Sequence, residues 1–316
     1  MNKREIKKYK KDTVLSWAKT VLHDYYDCEV KKISYVGGGY FGYVYCAELD
    51  KAPYKLIIKA CLSPDMCENE ARDLTLLGKV CPVPVPKVYF TYSETTDIPM
   101  DFICMEYVQG RDALSAFNPI KLAFVSKDKK QKFADDVVTA MGVWHSETND
   151  KFGLTGNAIY DNWLDYYKPF ALDILESAKK RSDLFCPKII AVMTDAWDKF
   201  DVIFCEKVEK PSLVHGDLNV VNIMCDDKLN VTAIIDPLEG KWADKEFDLF
   251  QFKNFTGDQL GLYDAYKRKY PVSKMVDAKC AFYGLFNEVY CNILADKKLS
   301  ALNMFVKWMK KELNDL

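Results

Sequence analysis

The chain has 316 residues, 49% hydrophobic and 28% charged, with a formal net charge of −2. The apolar content suffices for about two structural units, and the balanced charge excludes a global positive field that would recruit nucleic acid or anionic lipid. The first 32 residues are locally basic through Lys7, Lys8, Lys10, Lys11, Lys31 and Lys32, which reads as a solvated face beside a frayed terminus.

The 11 cysteines are scattered without a C-x-x-C pair, and Cys46, Cys61, Cys104 and Cys225 sit in apolar runs. Their odd number argues against a disulfide framework, and three well-separated histidines argue against a Cys/His zinc site. Free thiols in a reducing compartment are expected. The opening MNKREIKKYKKD has no apolar core of a signal peptide. No apolar run approaches the ~20 residues that span a bilayer. The expectation is a soluble, cytoplasmic protein.

In chain order, Val14, Trp17, Ala18, Val21, Leu22 and Tyr25 mark one face of a helix over about 12–26. KKISYV, YVYCAEL and YKLIIKA are rich in Ile, Val and Tyr and are separated by glycine or by Asp50-Lys51-Ala52-Pro53. They read as three consecutive antiparallel strands. A helix over about 66–79 follows, then the proline-rich CPVPVPKV and the strand-like KVYFTY and DFICMEYV. After Gly110 the pattern turns helical. Phe133, Val137, Ala140, Met141 and Trp144 share one helix face, and Ile189, Met193, Ala196, Trp197, Phe200 and Phe204 share another. Residues 211–237 return to short strands (PSLV, NIMC, VTAIID), and helices resume from about 246. The predicted fold class is α+β. A five-stranded antiparallel lobe over 1–108, with one main helix packed on it, is joined through 105–110 to a mainly helical lobe over 109–316. The cleft between lobes is the expected ligand site.

Gly37, Gly39, Gly42 and Val44 fit G-x-G-x-x-G-x-V. Glycines there let backbone N–H groups approach phosphate oxygens. A dinucleotide fingerprint needs a following helix, whereas here a strand follows, so the loop joins two strands. An ordinary glycine-rich hairpin is the plain alternative. Lys59 ends LIIK, and a lysine in an apolar strand is costly unless its charge is used. It either contacts the α- and β-phosphates or snorkels from an edge strand. Glu70 on the next helix is the favoured partner for its ammonium, because Leu74 and Leu77 turn that face inward, and Glu68 competes.

The strongest signal is LVHGDLNVVNIM, in which His215, Gly216, Asp217 and Asn222 give H-G-D-x-x-x-x-N. The strand VTAIID then ends at Asp236. Polar groups placed among buried strands need partners, and a shared Mg²⁺ with a phosphate chain supplies them. Asp236 and the Asn222 amide oxygen suit that hard cation, which leaves Asp217 to accept a proton from an attacking hydroxyl. His215 and the lone His145 read as structural.

Together GGGYFGYV, LIIK, ENEARDLTLL, VPVPKV, ICMEYVQG, HGDLNVVNI and IIDPLEGKWADKEFDL resemble the aminoglycoside phosphotransferase and choline kinase superfamily over most of residues 30–255. These are small-molecule kinases of protein-kinase-like fold. The resemblance implies ATP or GTP with Mg²⁺. Gly37 to Gly42 and Lys59 would lie on the phosphates, with Met105, Glu106 and Val108 at the hinge. The backbone of Glu106 and Val108 would meet the purine. Asp217 would be catalytic, Asn222 and Asp236 would be metal ligands, and Asp248, with Asp244 sharing the role, would support the loop. Three successive glycines, and Gly216 where protein kinases carry arginine, depart from the common pattern. Only 11 residues separate Asp236 from Asp248, too few for a peptide-docking activation segment, so a protein substrate is disfavoured. A nucleotide-binding pseudokinase is the rival outside catalysis.

Acceptor candidates are Trp163, Tyr166, Tyr167, Glu239 and Trp242. The aromatics of NWLDYY could face a cationic amine, yet the same spacing also marks a buried helix face, which is the weightier reading. FGLTGNAIYDNWLDYY also resembles the fructosamine kinase branch. Aminoglycosides, choline-like amines, ketosamines and sugar alcohols all stay open.

Overall fold

The computed structural model describes residues 9–39, 41–63, 65–299 and 301–316. Lys7, Lys8 and Tyr40 of the glycine loop lie outside them. The chain begins α1 (Lys11–Tyr26), β1 (Val30–Gly37), β2 (Gly42–Leu49), β3 (Lys55–Cys61), α2 (Met66–Val80), β4 (Val88–Tyr92) and β5 (Asp101–Glu106). It continues β6 (Arg111–Asp112), α3 (Ala113–Ala116), α4 (Pro119–Leu122), α5 (Lys127–His145), β7 (Phe152–Leu154), β8 (Asn157–Tyr160), α6 (Trp163–Lys179), α7 (Pro187–Asp198) and α8 (Phe200–Ile203). The last part holds β9 (Ser212–Val214), β10 (Ile223–Cys225), β11 (Val231–Ile234), β12 (Lys241–Ala243) and a 3-10 helix over Lys245–Lys253. After it come α9 (Gly257–Leu260), α10 (Leu262–Lys269), α11 (Val276–Ala295) and α12 (Leu302–Asp315).

The first lobe is a five-stranded antiparallel sheet of order β1-β2-β3-β5-β4. Alternation along a strand decides what each face carries. Leu56, Ile58 and Ala60 of β3 join Tyr45, Ala47 and Leu49 of β2 against Val14, Ala18, Val21 and Leu22 of α1. The opposite face presents Ile103 and Met105 of β5 and Cys61 of β3 to Met66, Cys67 and Leu74 of α2. Lys59 shares parity with Cys61, so it is turned to the α2 side, opposite Val44 and Ile103 in register. Alternation along β3 thus delivers a lysine to the cleft.

The second lobe is mainly helical around one large core drawn from α5, α6, α7, α11 and α12. Trp163 and Tyr167 are both 1% exposed within it, so the buried-face reading holds and their assignment to the acceptor site is corrected. Trp163 Nε1 donates to the Tyr283 hydroxyl at 2.7 Å, and that hydroxyl donates to Asp244 Oδ2 at 2.9 Å. Lys279 closes the chain, with Nζ 2.6 Å from Asp244 and 2.7 Å from Glu246. Asp244 is therefore spent on the scaffold.

The expected helix through Ile189 and Phe204 is broken. α7 ends at Asp198, Lys199 departs from helical geometry with φ −98° and ψ 6°, and α8 restarts at Phe200. Strands β6, β7, β8 and β12 have two to four residues, too short to leave an alternating signature. They complete two small sheets, β11-β10-β6 and β8-β7-β12-β9. The expectation of uniformly free thiols is also corrected: Cys61 and Cys67 form a disulfide where β3 turns into α2, their Cα atoms 5.8 Å apart. The other nine cysteines are free. Among the described residues no helix is long and apolar enough to cross a membrane.

The lobes are clamped through α2. Its buried Asp73 accepts the Gly240 N–H at 2.8 Å and the Thr155 hydroxyl at 2.5 Å. Because Trp163 fills the centre of the large core, Trp163→Ala is expected to cost about 3–5 kcal/mol. Denaturant unfolding measures this, and a loss under about 1 kcal/mol would contradict the core assignment.

Candidate active site

Lys59 joins the lobes. Its ammonium lies 2.8 Å from Glu70 Oε2 on α2 and is in direct ion contact with Asp236, which follows β11. Burial opposes the charge on Lys59, but the Asp236 and Glu70 carboxylates outweigh it and hold the ammonium above its ordinary range. Burial pushes the Glu70 carboxyl up and Lys59 pulls it back. Glu70 rather than Glu68 makes the pair. Asp236 has φ of 58°, a left-handed conformation that Asp tolerates better than most residues. Its carboxylate is 48% exposed and lines the cleft.

The glycine loop sits above this junction. A Cβ at Gly42 would lie 2.8 Å from the Ala60 carbonyl and 3.3 Å from Lys59 Cε, so only glycine lets β2 pass this close to the lysine. At Gly37 and Gly39 the corresponding space is open. Met105 is buried, while Glu106 and Val108 edge the cleft; the Glu106 N–H is committed to the Lys87 carbonyl at 2.9 Å.

The loop carrying Asp217 hangs from Asp248, which is fully buried. One carboxylate oxygen takes the His215 N–H at 2.9 Å and the other the Gly216 N–H at 2.8 Å. His145 Nε2 lies 3.1 Å from the first, with the Tyr266 hydroxyl on its Nδ1 at 2.8 Å. Burial works against the charge on Asp248, and these partners overcome it and keep its carboxyl below the ordinary range. His215 is buried and burial lowers its pKa; Nε2 donates to the Ile235 carbonyl at 3.0 Å and Nδ1 accepts the Asp217 N–H at 3.3 Å. Both ring nitrogens serve the loop.

Asp217 accepts from Asn219 Nδ2 at 3.1 Å, from Asn222 Nδ2 at 3.0 Å and from Gln251 Nε2. Burial and the nearby Asp236 charge nevertheless push its carboxyl up to about 8. The Asn222 amide nitrogen also reaches the Asp217 carbonyl at 2.7 Å, which leaves its oxygen as the group it can offer a cation. With Asp236 this gives two hard oxygen donors, a set that fits Mg²⁺ arriving with phosphate oxygens and water. Among the described residues no three His, Cys, Asp or Glu side chains converge to cage a metal unaided.

These groups line one cavity of about 1110 Å³, shared by Gly37, Gly39, Gly42, Val44, Lys59, Glu70, Met105, Glu106, Val108, Asp217, Asn222, Asp236 and Glu239. Trp163, Tyr167 and Trp242 are not among its lining residues. Glu239 has φ of 48° and receives the Tyr290 hydroxyl at 3.1 Å, while buried Lys241 donates to its carbonyl at 2.6 Å. Sequence reasoning missed Asn219, Gln251, Asn254, Asn287 and Glu288, which also line the cavity. The last two come from α11, in the tail that carried little signal. A glutamate inside the apolar run AFYGLFNEVYCNIL was the available clue.

Gly216 has φ of 85°, and a Cβ there would lie 2.1 Å from the Leu238 carbonyl. Gly216→Ala is therefore expected to destabilise the fold by at least about 1–3 kcal/mol, the usual cost of forcing a side chain into such a conformation. Comparison of denaturant midpoints checks this, and an unchanged midpoint would contradict it.

Comparison with known proteins agrees with this geometry. A probable ketoamine kinase of Staphylococcus aureus is 30% identical over 164 residues, covering 45% of this chain and 53% of that protein. The chain thus spans about half the length of that curated relative. Among solved structures, the GDP complex of a mutant aminoglycoside 2′-phosphotransferase-IIIa superposes with a TM-score of 0.69 at 16% identity, covering 95% of this chain and 97% of the other. A Haemophilus somnus protein assigned as a fructosamine-3-kinase gives 0.65 at 18% identity, with 95% and 99% covered. At these identities the structures show a shared fold. The fructosamine kinase family model matches residues 13–312, and the chain belongs to that family.

Proposed function

We propose that the protein transfers the γ-phosphate of ATP or GTP, bound with Mg²⁺, to a hydroxyl of a small acceptor, with ketoamines such as fructosamine as the leading class. One observation carries the reading. A charged lysine from the sheet, two oxygen donors and a buried carboxylate from the helical lobe face a single cleft. The family and the name of the S. aureus relative direct the choice of acceptor.

In this reading residues 1–108 hold the nucleotide and 109–316 supply the catalytic and acceptor groups. The open backbone at Gly37 and Gly39 and the Lys59 ammonium receive the phosphates. Since the Glu106 N–H is taken by Lys87, the hinge offers a base the Glu106 carbonyl and the Val108 backbone. Asn222 Oδ1 and Asp236 hold Mg²⁺, which when bound neutralises phosphate charge and the Asp236 charge that raises Asp217. Asp217 takes the acceptor hydroxyl proton, the alkoxide oxygen bonds to the γ-phosphorus, and the bond to the β–γ bridging oxygen breaks, releasing the nucleoside diphosphate. Asn219 and Gln251 aim the carboxylate.

Diphosphate release, measured with Mg-ATP or Mg-GTP and a panel of ketoamine, aminoglycoside, choline-like and polyol acceptors, tests the proposal. Turnover with the ketoamine is expected. Tight nucleotide binding without turnover of any acceptor would favour a pseudokinase. Asp217→Ala is expected to lower kcat by about 10²–10⁴-fold while nucleotide affinity holds within about threefold. Asp236→Ala is expected to abolish the Mg²⁺-dependent rise in melting temperature with nucleotide. Equal loss of binding in both variants would overturn this division of roles.

A further inference from the structure

α11 is a largely buried helix with one misplaced charge. Glu288 is 7% exposed, and its side chain lines the cavity that holds Asp217. Among the described residues none gives its carboxylate a hydrogen bond or an ion pair; the Asn292 amide reaches only its backbone carbonyl, at 2.6 Å. Burial alone pushes its carboxyl up to about 7. A carboxylate held this way is costly, and core packing on α11 would be served as well by an apolar residue.

The surroundings indicate which partner is missing. Glu288 and Asp217 line the same cavity, so the two carboxyls face one space. Glu239 and Asp236 line the same cavity. Lys59 is engaged by Glu70 and Asp236, and Lys241 by the Glu239 carbonyl. A neutral hydroxyl docked on Glu288 would donate a hydrogen bond but leave the charge uncompensated. A protonated nitrogen supplies both donor and charge.

We propose that Glu288 is the residue that selects the acceptor, by pairing with a protonated amine a few bonds from the hydroxyl presented to Asp217. This rests on the small-molecule kinase reading and assigns the side chain that meets the nitrogen of its acceptor. Glu288 acts on binding and not on the transferred proton, so its removal shows in KM rather than kcat.

The test uses the full-length enzyme with an N-alkyl fructosamine and an isostere carrying an ether oxygen in place of nitrogen. Glu288→Gln, nearly identical in shape, is expected to raise KM for the amine about 10–100-fold, the scale of one charged hydrogen bond. Its kcat, its nucleotide affinity and its KM for the ether are expected to stay within about threefold of wild type. An unchanged KM for the amine, or equal changes for both acceptors, overturns the proposal. Should Glu288→Gln fail to fold, the wild-type enzyme decides: at least about tenfold lower KM for the amine supports the proposal, and equal KM values overturn it. Turnover of neither acceptor by the wild type sinks the kinase reading itself, and this inference with it.

Discussion

One ammonium group sets the terms for the cleft. Lys59 is buried, and a buried cation persists only with anionic partners. The two it has come from different lobes, Glu70 from α2 and Asp236 from the far side. Sheet, α2 and helical lobe are therefore held in register by electrostatics rather than by apolar contact alone. The same contact leaves a half-exposed carboxylate and a charged lysine side by side on the cavity wall, so both signs of charge meet there.

The features visible in the sequence were those with a local physical cause. A lysine ending the apolar run LIIK left open a phosphate contact or an edge-strand position, and the sheet order, with β3 central, removes the second. Helix periodicity located α1, α2 and α5, and the spacing from His215 to Asn222 marked the loop whose side chains meet around Asp217. Glycine at 42 and 216 answers two backbone approaches too close for a side chain. The illegible parts depended on tertiary context. Trp163 and Tyr167 had the spacing of a core face and also the composition of an amine cage, and only their burial decides between these. β6, β7 and β12 pair with strands distant in sequence, and β8 is an edge strand held only by β7, so none is marked by its own pattern. Gln251 and Glu288 reach the cavity because the 3-10 helix and α11 pack beside the loop, a fact absent from either segment alone.

Asp248 shows how a short loop is anchored by a single carboxylate. Two successive backbone N–H groups and an imidazole converge on one fully buried carboxylate, and burial makes each of those bonds stronger while making any vacancy expensive. Further inside, the chain from Trp163 through Tyr283, Asp244 and Lys279 to Glu246 follows the same rule. Asp244, Glu246 and Asp248 are consumed by architecture, while Asp217, Asp236 and Glu239 border open space.

The Asp73 clamp bears on how the cleft can breathe. α2 is held to both lobes: apolar contacts and the Cys61–Cys67 bridge tie it to the sheet, and its Asp73 carboxylate grips the backbone at Gly240 and the hydroxyl of Thr155. The Glu70 side of the cleft is thereby tied to both lobes, whereas among the described residues none beyond the chain neighbours lies within 4 Å of where a Cβ at Gly37 or Gly39 would stand. Removing the Asp73 carboxylate would thus detach the wall that carries Glu70 from the loops at Thr155 and Gly240.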